Sequence, residues 1–217
     1  MSNTETRDTK VSYLAIAGNI GAGKSTLTGL LAKHYNWRAF YESVDDNPYL
    51  ADFYDDMKRW SFNLQIYFLS ARFRHQKQLL TSSKSFIQDR TIYEDVEIFA
   101  KNLYEMNLMS QRDYDNYRAL FTEMSSYLRP PNLLIYLRAD VPTLVNQIQK
   151  RGRDYETTIR IDYLERLNQH YEDWIASYPY EKLIIETDNL DFVNNDEDLG
   201  FVIEKVDQRM YSLFNVD

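Results

Sequence analysis

The sequence contains no cysteine among its 217 residues. Disulfide frameworks and thiolate metal sites are therefore excluded, and we expect a reducing, cytoplasmic setting. No stretch approaches the roughly 18 apolar residues that a membrane-spanning helix needs. Residues 1–10 are polar and of mixed charge, without the apolar centre of a signal peptide, and we expect them to form a disordered tail.

Blocks of basic residues are missing as well. The chain has 25 Lys and Arg against 33 Asp and Glu, which gives a formal net charge of −8. A nucleic-acid polymer would be repelled over most of such a surface, so polymer binding is a poor hypothesis. Repeats, low-complexity runs and linkers are also absent, and the length suits a single domain over residues 1–217.

The most informative segment that is present is a phosphate-loop motif, G-x-x-x-x-G-K-S, at residues 18–25. It follows the apolar run Val11–Ala17 and precedes a stretch with helical character, Thr26–Tyr35. Glycines at these positions let backbone N–H groups wrap phosphates, while Lys24 reaches the terminal phosphates and the Ser25 hydroxyl takes Mg²⁺. A simple glycine-rich turn is the alternative, and the flanking strand and helix argue against it.

Five short apolar or β-branched runs alternate with longer stretches of helical spacing. They are Val11–Ala17, Trp37–Tyr41, Ser85–Gln88, Asn132–Leu137 and Lys182–Glu186. This alternation predicts an α/β fold with a five-stranded parallel sheet and helices on both faces, a three-layer arrangement. Ligands bind at the carboxyl ends of such strands. The residues at those ends are Gly18, Glu42, Asp89, Arg138 and Thr187.

Two of the residues at the strand ends, and the residue after one of them, have side chains suited to phosphoryl transfer. Glu42 could accept a proton from an attacking hydroxyl, although a helix-capping or solvated acid explains it equally well. Asp89 could hold Mg²⁺ directly or through water, and the adjacent Arg90 could stabilise phosphoryl charge or orient the base. The Asp-Arg pair is the stronger signal because it follows a strand in a chain that already has a phosphate loop.

Two further segments carry unusual polar residues. In the predicted long helix Lys58–Leu80, Gln65 and Arg72 share a face with apolar neighbours, so they either mark the solvent side or need buried partners, such as a nucleobase. The run at 150–156 carries Arg151 and Arg153 around a glycine. It is either a solvated turn or a short arginine lid over the phosphates at about 150–160.

Taken together, these motifs resemble the deoxyribonucleoside kinases, most closely the bacterial deoxyadenosine and deoxyguanosine kinases. The resemblance runs from Tyr13 to about Arg209. It rests on Gly18–Ser25, Glu42–Leu50, Leu64–Tyr67 with Ala71-Arg72, Asp89–Asp95, Lys150–Glu156 and Leu190–Phe192. It implies a phosphate-loop kinase fold.

For catalysis and the donor, the resemblance implies that Glu42 is the general base on the sugar 5′-hydroxyl and that Arg90 orients it, with Lys24 on the phosphates. Ser25 and Asp89 would be the magnesium residues. The ATP site would comprise Gly18, Asn19, Ile20, Gly21, Ala22, Gly23, Lys24, Ser25, Thr26, the lid residues Arg151 and Arg153, and Asp191 and Phe192 near the adenine.

For the acceptor, the resemblance implies hydrogen bonds from Gln65 to the base and recognition of the base edge by Arg72 with Asp95. Phe99 would stack on the base. The sugar 3′-hydroxyl would be held by Tyr54 and Glu156, and the substrate site would also include Glu42 and Arg90. The chain departs from animal members of the family at Ser43, Asn47 and Gln147, so their pyrimidine preference is not expected here.

The resulting prediction is ATP-dependent 5′-phosphorylation of a deoxynucleoside in purine salvage, with deoxyadenosine favoured by the closeness of the resemblance. Gln can pair with adenine through two hydrogen bonds, but guanine could satisfy much of the same set of side chains. Deoxyguanosine or deoxycytidine kinases of the same family are alternatives. So are a thymidylate-like monophosphate kinase and a non-catalytic nucleotide switch. The resemblance also implies a homodimer packed through two long helices, for which the aromatic-rich helices around Trp60 and Tyr104–Tyr127 are candidates. We expect no membrane partner.

Overall fold

The computed structural model describes residues 12–42, 47–80, 82–153, 156 and 159–214. Three sequence predictions reach outside the described residues: the disordered tail at 1–10, Ser43 in the segment after Glu42, and part of the arginine lid, including Asp154 and Tyr155. The remaining predicted site residues all lie within the described part of the chain.

Strands and helices alternate along the chain. The strands are β1 (Tyr13–Gly18), β2 (Arg38–Phe40), β3 (Phe86–Asp89), β4 (Leu133–Arg138) and β5 (Lys182–Glu186). The α-helices of the described part are α1 (Lys24–Tyr35), α2 (Leu50–Asp55), α3 (Met57–Leu80), α4 (Ile92–Glu94), α5 (Lys101–Glu105), α6 (Gln111–Ser125), α7 (Val141–Arg151), α8 (Ile161–Ser177) and α9 (Asp196–Phe214). A π-helix, Asp95–Ala100, separates α4 from α5.

All five strands pair in parallel in the order β2-β3-β1-β4-β5. The predicted five-stranded parallel sheet is therefore confirmed, with strand boundaries within two residues of the expected ones. In the register of the sheet, Ile16 lies beside Asp89 and Gly18 beside Leu137. The phosphate loop and the Asp89-Arg90 pair therefore leave the sheet at the same edge.

Helices cover both faces of the sheet. Every residue of β1 is therefore buried, as expected for a central parallel strand. Tyr13 and Ala15 pack into a core formed with α3, α6 and α8. Leu14 and Ile16 point the other way, into a core formed with α1, α7 and α9. The alternation of side chains along the strand thus builds the three predicted layers. Among the described residues, no helix is both long and apolar enough to cross a membrane.

Two helical segments differ from the sequence expectation. Helix α7 continues to Arg151 and ends at Gly152, whose φ of 66° lies in the left-handed region that favours glycine. Arg151 is therefore in the last helical turn, and only the rest of the predicted lid follows the glycine. The aromatic-rich stretch Tyr104–Tyr127 forms α5 and α6 with a turn between them, since Asn107 takes a left-handed conformation (φ 57°).

Candidate active site

The phosphate loop joins the end of β1 to the start of α1. Gly21 and Gly23 have φ angles of 87° and 88°, which L side chains rarely adopt. A Cβ atom at Gly21 would lie 2.7 Å from the carbonyl oxygen of Leu144, and one at Gly23 would lie 2.9 Å from Cζ of Phe192. Both glycines are required by conformation and by space, and the helix N-terminus beyond them suits an anion.

Lys24 lies at the centre of the site with a buried side chain. Its Nζ donates to the carbonyl oxygen of Asn19 at 2.8 Å. Burial, together with the positive charge of Arg90, lowers the pKa of Lys24 to about 7. A phosphate group beside this ammonium would raise that pKa again, because an opposite charge favours the ionised form.

Ser25 and Asp89 are brought together from α1 and β3. The Ser25 hydroxyl is hydrogen-bonded to Asp89 Oδ2. The other carboxylate oxygen, Oδ1, is buried without a hydrogen-bond partner in the described part of the chain. A hydroxyl and a carboxylate with a free oxygen fit Mg²⁺, which binds one or two protein oxygens and completes its shell with phosphates and water. No group of three or more His, Asp or Glu among the described residues could hold a metal ion instead.

Glu42 faces two guanidinium groups at the mouth of the cavity beside the loop. It forms an ion pair with Arg72 Nη2, and its Oε1 lies 3.4 Å from Arg90 Nε. Burial alone would raise the pKa of Glu42, but the charges of Arg90, Arg72 and Lys24 lower it to about 2. The ion pairs with Arg72 and Arg90 argue against a freely solvated acid, and the carboxylate lines the cavity with Lys24 and Ser25.

Gln65 and Arg72 are buried, with 3% and 4% of their surfaces exposed, so the solvent-face alternative is excluded. Arg72 Nε lies 2.6 Å from Oδ2 of Asp95, which the π-helix contributes. Gln65 Oε1 is buried without a hydrogen-bond partner among the described groups. Buried polar atoms are almost always paired in native proteins, so this amide oxygen indicates a polar ligand.

Most of these side chains line a cavity beside the phosphate loop. Arg72 does not line it but pairs with Glu42 and Asp95, which do. The cavity lining combines polar and apolar side chains. The predicted site residues lining it are Ile20, Lys24, Ser25, Glu42, Tyr54, Gln65, Arg90, Asp95, Phe99, Arg151, Arg153 and Glu156. Leu50, Phe53, Leu64, Phe68 and Tyr163 complete the lining.

The acid predicted to hold the sugar also holds the lid arginines. Glu156 is buried and accepts two hydrogen bonds from Arg151, at 2.9 Å from Nε and 2.6 Å from Nη2. Arg153 Nη1 lies 3.6 Å from the same carboxylate. Tyr54 lines the cavity with Glu156. The predicted sugar and phosphate contacts therefore share one ion-paired cluster.

A second, more open groove lies on the other side of the phosphate loop. Gly21, Ala22, Gly23 and Thr26 form one side, and Gln147 and Lys150 lie opposite with the loop after β5. Phe192 is buried against Gly23. Asp191 is exposed, and its carboxylate accepts hydrogen bonds from Asn194 and the backbone of Val193, so it shapes its own turn.

Some of the predicted site residues also contact other parts of the chain. The Asn19 side chain donates to Leu164 and Asn168, which ties the phosphate loop to α8. Gly18 donates its N–H to Glu94, the last residue of α4, at 3.4 Å. Phe62, three residues before Gln65 in α3, lines a separate groove with Tyr104.

Sequence reasoning missed the buried groups behind Arg90. Glu94 and Tyr171 are fully buried and hydrogen-bonded to each other, and Arg90 Nη1 donates to the Tyr171 hydroxyl at 2.8 Å. Glu94 lies inside the motif Asp89–Asp95, but nothing in its spacing indicated a role. Tyr171 comes from α8, about 80 positions away, and carried no sequence signal.

The cavity and the open groove flank one phosphate loop, which is the arrangement of a phosphate-loop kinase with a small-molecule acceptor. A family model described as deoxynucleoside kinase matches residues 14–211. The chain belongs to the deoxynucleoside kinase family and is an enzyme that uses a nucleotide as phosphoryl donor.

Known proteins are similar to almost the whole chain in sequence. A deoxyadenosine/deoxycytidine kinase from Bacillus subtilis is 42% identical over 202 residues, covering 91% of this chain and 92% of the relative. A deoxyguanosine kinase from Lactobacillus johnsonii is 39% identical over 207 residues, covering 90% and 91%. The structure of deoxyadenosine kinase from M. mycoides with bound dATP matches with a TM-score of 0.80 at 32% identity, covering 90% of this chain and 99% of that one.

Proposed function

We propose that this enzyme transfers the γ-phosphoryl group of ATP to the 5′-hydroxyl of a purine deoxynucleoside, with deoxyadenosine preferred and dAMP as product. The observation that carries the proposal is the buried pair Gln65 and Asp95 at the wall of the cavity beside the phosphate loop, with the buried Arg72 ion-paired to Asp95. The amide of Gln65 can donate to one adenine nitrogen and accept from the exocyclic amine. Its unpaired Oε1 supports that arrangement.

Catalysis in this proposal depends on positioning and on neutralisation of charge, as phosphoryl transfer generally does. Glu42 accepts the proton of the 5′-hydroxyl, and Arg90 keeps the carboxylate aligned. Lys24 and the lid residues Arg151 and Arg153 hold negative phosphate oxygens. Ser25 and Asp89 would hold Mg²⁺, which neutralises phosphate charge when bound.

The low pKa of Glu42 is compatible with this role. A base that weak gains little free energy from taking a proton, but the loose transition state of phosphoryl transfer needs little base strength until late in the reaction. Constant ionisation and orientation therefore matter more for Glu42 than basicity does.

The donor contacts follow from the open groove. The adenine of ATP would lie between the loop after β5 and the end of α7, near Phe192 and Lys150, which line that groove. The triphosphate would then pass along Gly21–Ser25 to the lid arginines. Gly23 could not carry a side chain in this arrangement because Phe192 occupies the space.

Deoxycytidine is the second candidate substrate. The Bacillus subtilis relative is named a deoxyadenosine/deoxycytidine kinase, and an M. mycoides deoxyadenosine kinase structure contains dCMP as a product. Cytosine and adenine both present an amine next to a ring nitrogen, which the amide of Gln65 could recognise in the same way. A thymidylate-like kinase is not supported by these relatives.

Competition among the four natural deoxynucleosides tests the proposal. With ATP and all four at equal concentration, we expect dAMP to form fastest and dCMP second. A preference for thymidine would contradict the purine assignment. ATP consumption that is independent of any deoxynucleoside would contradict the kinase reaction itself.

A further inference from the structure

Glu94 is a fully buried carboxylate on which four hydrogen bonds converge. Oε2 accepts from the backbone N–H of Thr91 at 2.6 Å and from its hydroxyl at 3.1 Å. Oε1 accepts from the Tyr171 hydroxyl at 2.8 Å and from the backbone N–H of Gly18 at 3.4 Å. One side chain therefore contacts the first glycine of the phosphate loop, the cap of α4 and helix α8.

Tyr171 connects Glu94 to Arg90 through its hydroxyl. Its hydroxyl donates to Glu94 and accepts from Arg90 Nη1, both at 2.8 Å. The phenol cannot turn away, because its ring is fully buried and stacks on Tyr136 at 5.5 Å between ring centres. A buried relay of this kind restricts the guanidinium to one orientation.

Arg90 needs such fixation because its backbone is strained. Its φ of 65° is unusual for a residue with a side chain, and conformations of this kind persist where the surroundings determine them. Its N–H donates to Ile16 at 2.9 Å, and its guanidinium carbon lies 4.5 Å from the centre of the Phe99 ring. The same guanidinium places Nε 3.4 Å from Glu42.

We propose that Glu94 and Tyr171 are a positioning pair that fixes Arg90 against Glu42 and ties that arrangement to the phosphate loop. The inference rests on the proposed function, in which Glu42 accepts the proton and Arg90 aligns it. Neither residue lines the cavity, so both act through Arg90 and through Gly18. The pair thereby fixes the position of Glu42 relative to the phosphate loop.

Tyr171→Phe tests the pair because it removes one hydroxyl and keeps the ring. We expect kcat to fall by about tenfold or more, since a hydrogen bond to a charged group is lost, while the nucleoside KM changes less than about twofold. The matched control is Tyr178→Phe, in the same row of aromatic rings, whose buried hydroxyl has no hydrogen-bond partner in the described part of the chain. It should leave kcat unchanged.

A double-mutant cycle separates positioning from general packing. In an Arg90→Lys background, Tyr171→Phe should change the remaining kcat by less than about twofold, because the group on which it acts is gone. Equal losses in both backgrounds, or a Tyr171→Phe variant indistinguishable from Tyr178→Phe, would overturn the proposal.

Glu94→Gln provides a second variant with a different signature. The amide must direct its NH₂ at a donor, either the backbone of Thr91 or the Tyr171 and Gly18 pair, so we expect both a lower kcat and a higher KM for ATP. An unchanged KM and kcat would contradict the role of Glu94. A wild-type chain that phosphorylates no deoxynucleoside overturns the proposed function and this inference together, whereas an active wild type with an unaffected Tyr171→Phe overturns the positioning pair alone.

Discussion

Two carboxylates share the guanidinium of Arg72, and their surroundings move their pKa values in opposite directions. Glu42 faces Arg90, Arg72 and Lys24, and these charges outweigh burial and lower its pKa to about 2. For Asp95, burial outweighs the attraction of Arg72 and raises the pKa to about 7. Such separation is typical of active sites. The first carboxylate stays ionised at all working pH values, and the second titrates near neutrality.

Replacing Glu42 by Gln should reduce kcat by about a hundredfold or more, the usual contribution of a positioned base together with its electrostatic partners. Nucleoside affinity should change little, because the predicted base contacts belong to Gln65, Arg72 and Asp95. Steady-state kinetics combined with calorimetric binding of deoxyadenosine would measure both quantities.

The control for this substitution is Glu165→Gln on the exposed side of α8, which should behave like wild type. The thermal unfolding of both variants should be measured as well, because loss of the Glu42 charge leaves two guanidinium groups less well compensated. Near-normal kcat in Glu42→Gln would remove Glu42 from the role of base.

The raised pKa of Asp95 predicts a pH-dependent stability. The folded chain holds the Asp95 proton up to about pH 7, whereas an unfolded aspartate loses it near pH 4, so the contribution of Asp95 to stability decreases as the pH rises through this window. The difference in unfolding free energy between wild type and Asp95→Asn should therefore decline between pH 4 and 7, by at most about 1.4 kcal/mol per pH unit, and level off above pH 7. Urea unfolding at four pH values would measure it, and a constant difference would contradict the shift.

At the scale of the elements, the alternation of strand and helix predicted the edge of the sheet at which the candidate site lies. The apolar runs predicted all five strands, and the rule that ligands bind at carboxyl ends selected Glu42 and Asp89 before any contact was known. Helix α3 was harder to interpret, because aromatic residues occur all around it and no single apolar face marks the core. Only the structure shows that Gln65 lines a cavity and that Arg72 pairs with Glu42 and Asp95.

The turn from β1 into α1 has no room for a side chain at Gly23. Gly23→Ala should raise the KM for ATP by about tenfold or more and lower the unfolding free energy by about 1–2 kcal/mol, because φ is 88° and the new Cβ would press on Phe192. Coupled-enzyme kinetics and urea unfolding would measure the two effects.

Gly200→Ala is the matched control for the loop substitution. Gly200 lies in α9, and an added Cβ would meet nothing within 4 Å. Alanine should therefore be neutral or stabilise the helix by up to about 1 kcal/mol. Equal behaviour of the two alanine variants would show that the loop tolerates a side chain.

At the scale of the whole molecule, we propose that residues 1–217 form one kinase domain and that two copies associate through α3 and α6. Leu120 on α6 is 43% exposed and Tyr127 just beyond it is 71% exposed, which leaves apolar surface available on that side. The cytoplasmic location expected from the cysteine-free sequence stays a prediction.

Sedimentation equilibrium should give about twice the mass of one chain at micromolar concentration. Leu120→Glu should shift the equilibrium toward the monomer, because a charge in a dimer interface must be desolvated. Phe201→Glu, at a similarly exposed apolar residue of α9, should leave it unchanged. A wild-type monomer at these concentrations would contradict the dimer.

The sequence by itself determined the phosphate loop, the parallel sheet and the residues at the strand ends, because these depend on local spacing and on side-chain periodicity. The tertiary structure alone decided what surrounds Arg90. Glu94 and Tyr171 come from separate helices, and only the packing of those helices brings their buried side chains together. No local sequence pattern predicts these hydrogen bonds. The same holds for the opposite pKa shifts of Glu42 and Asp95, since these depend on which charges the fold places beside each carboxylate.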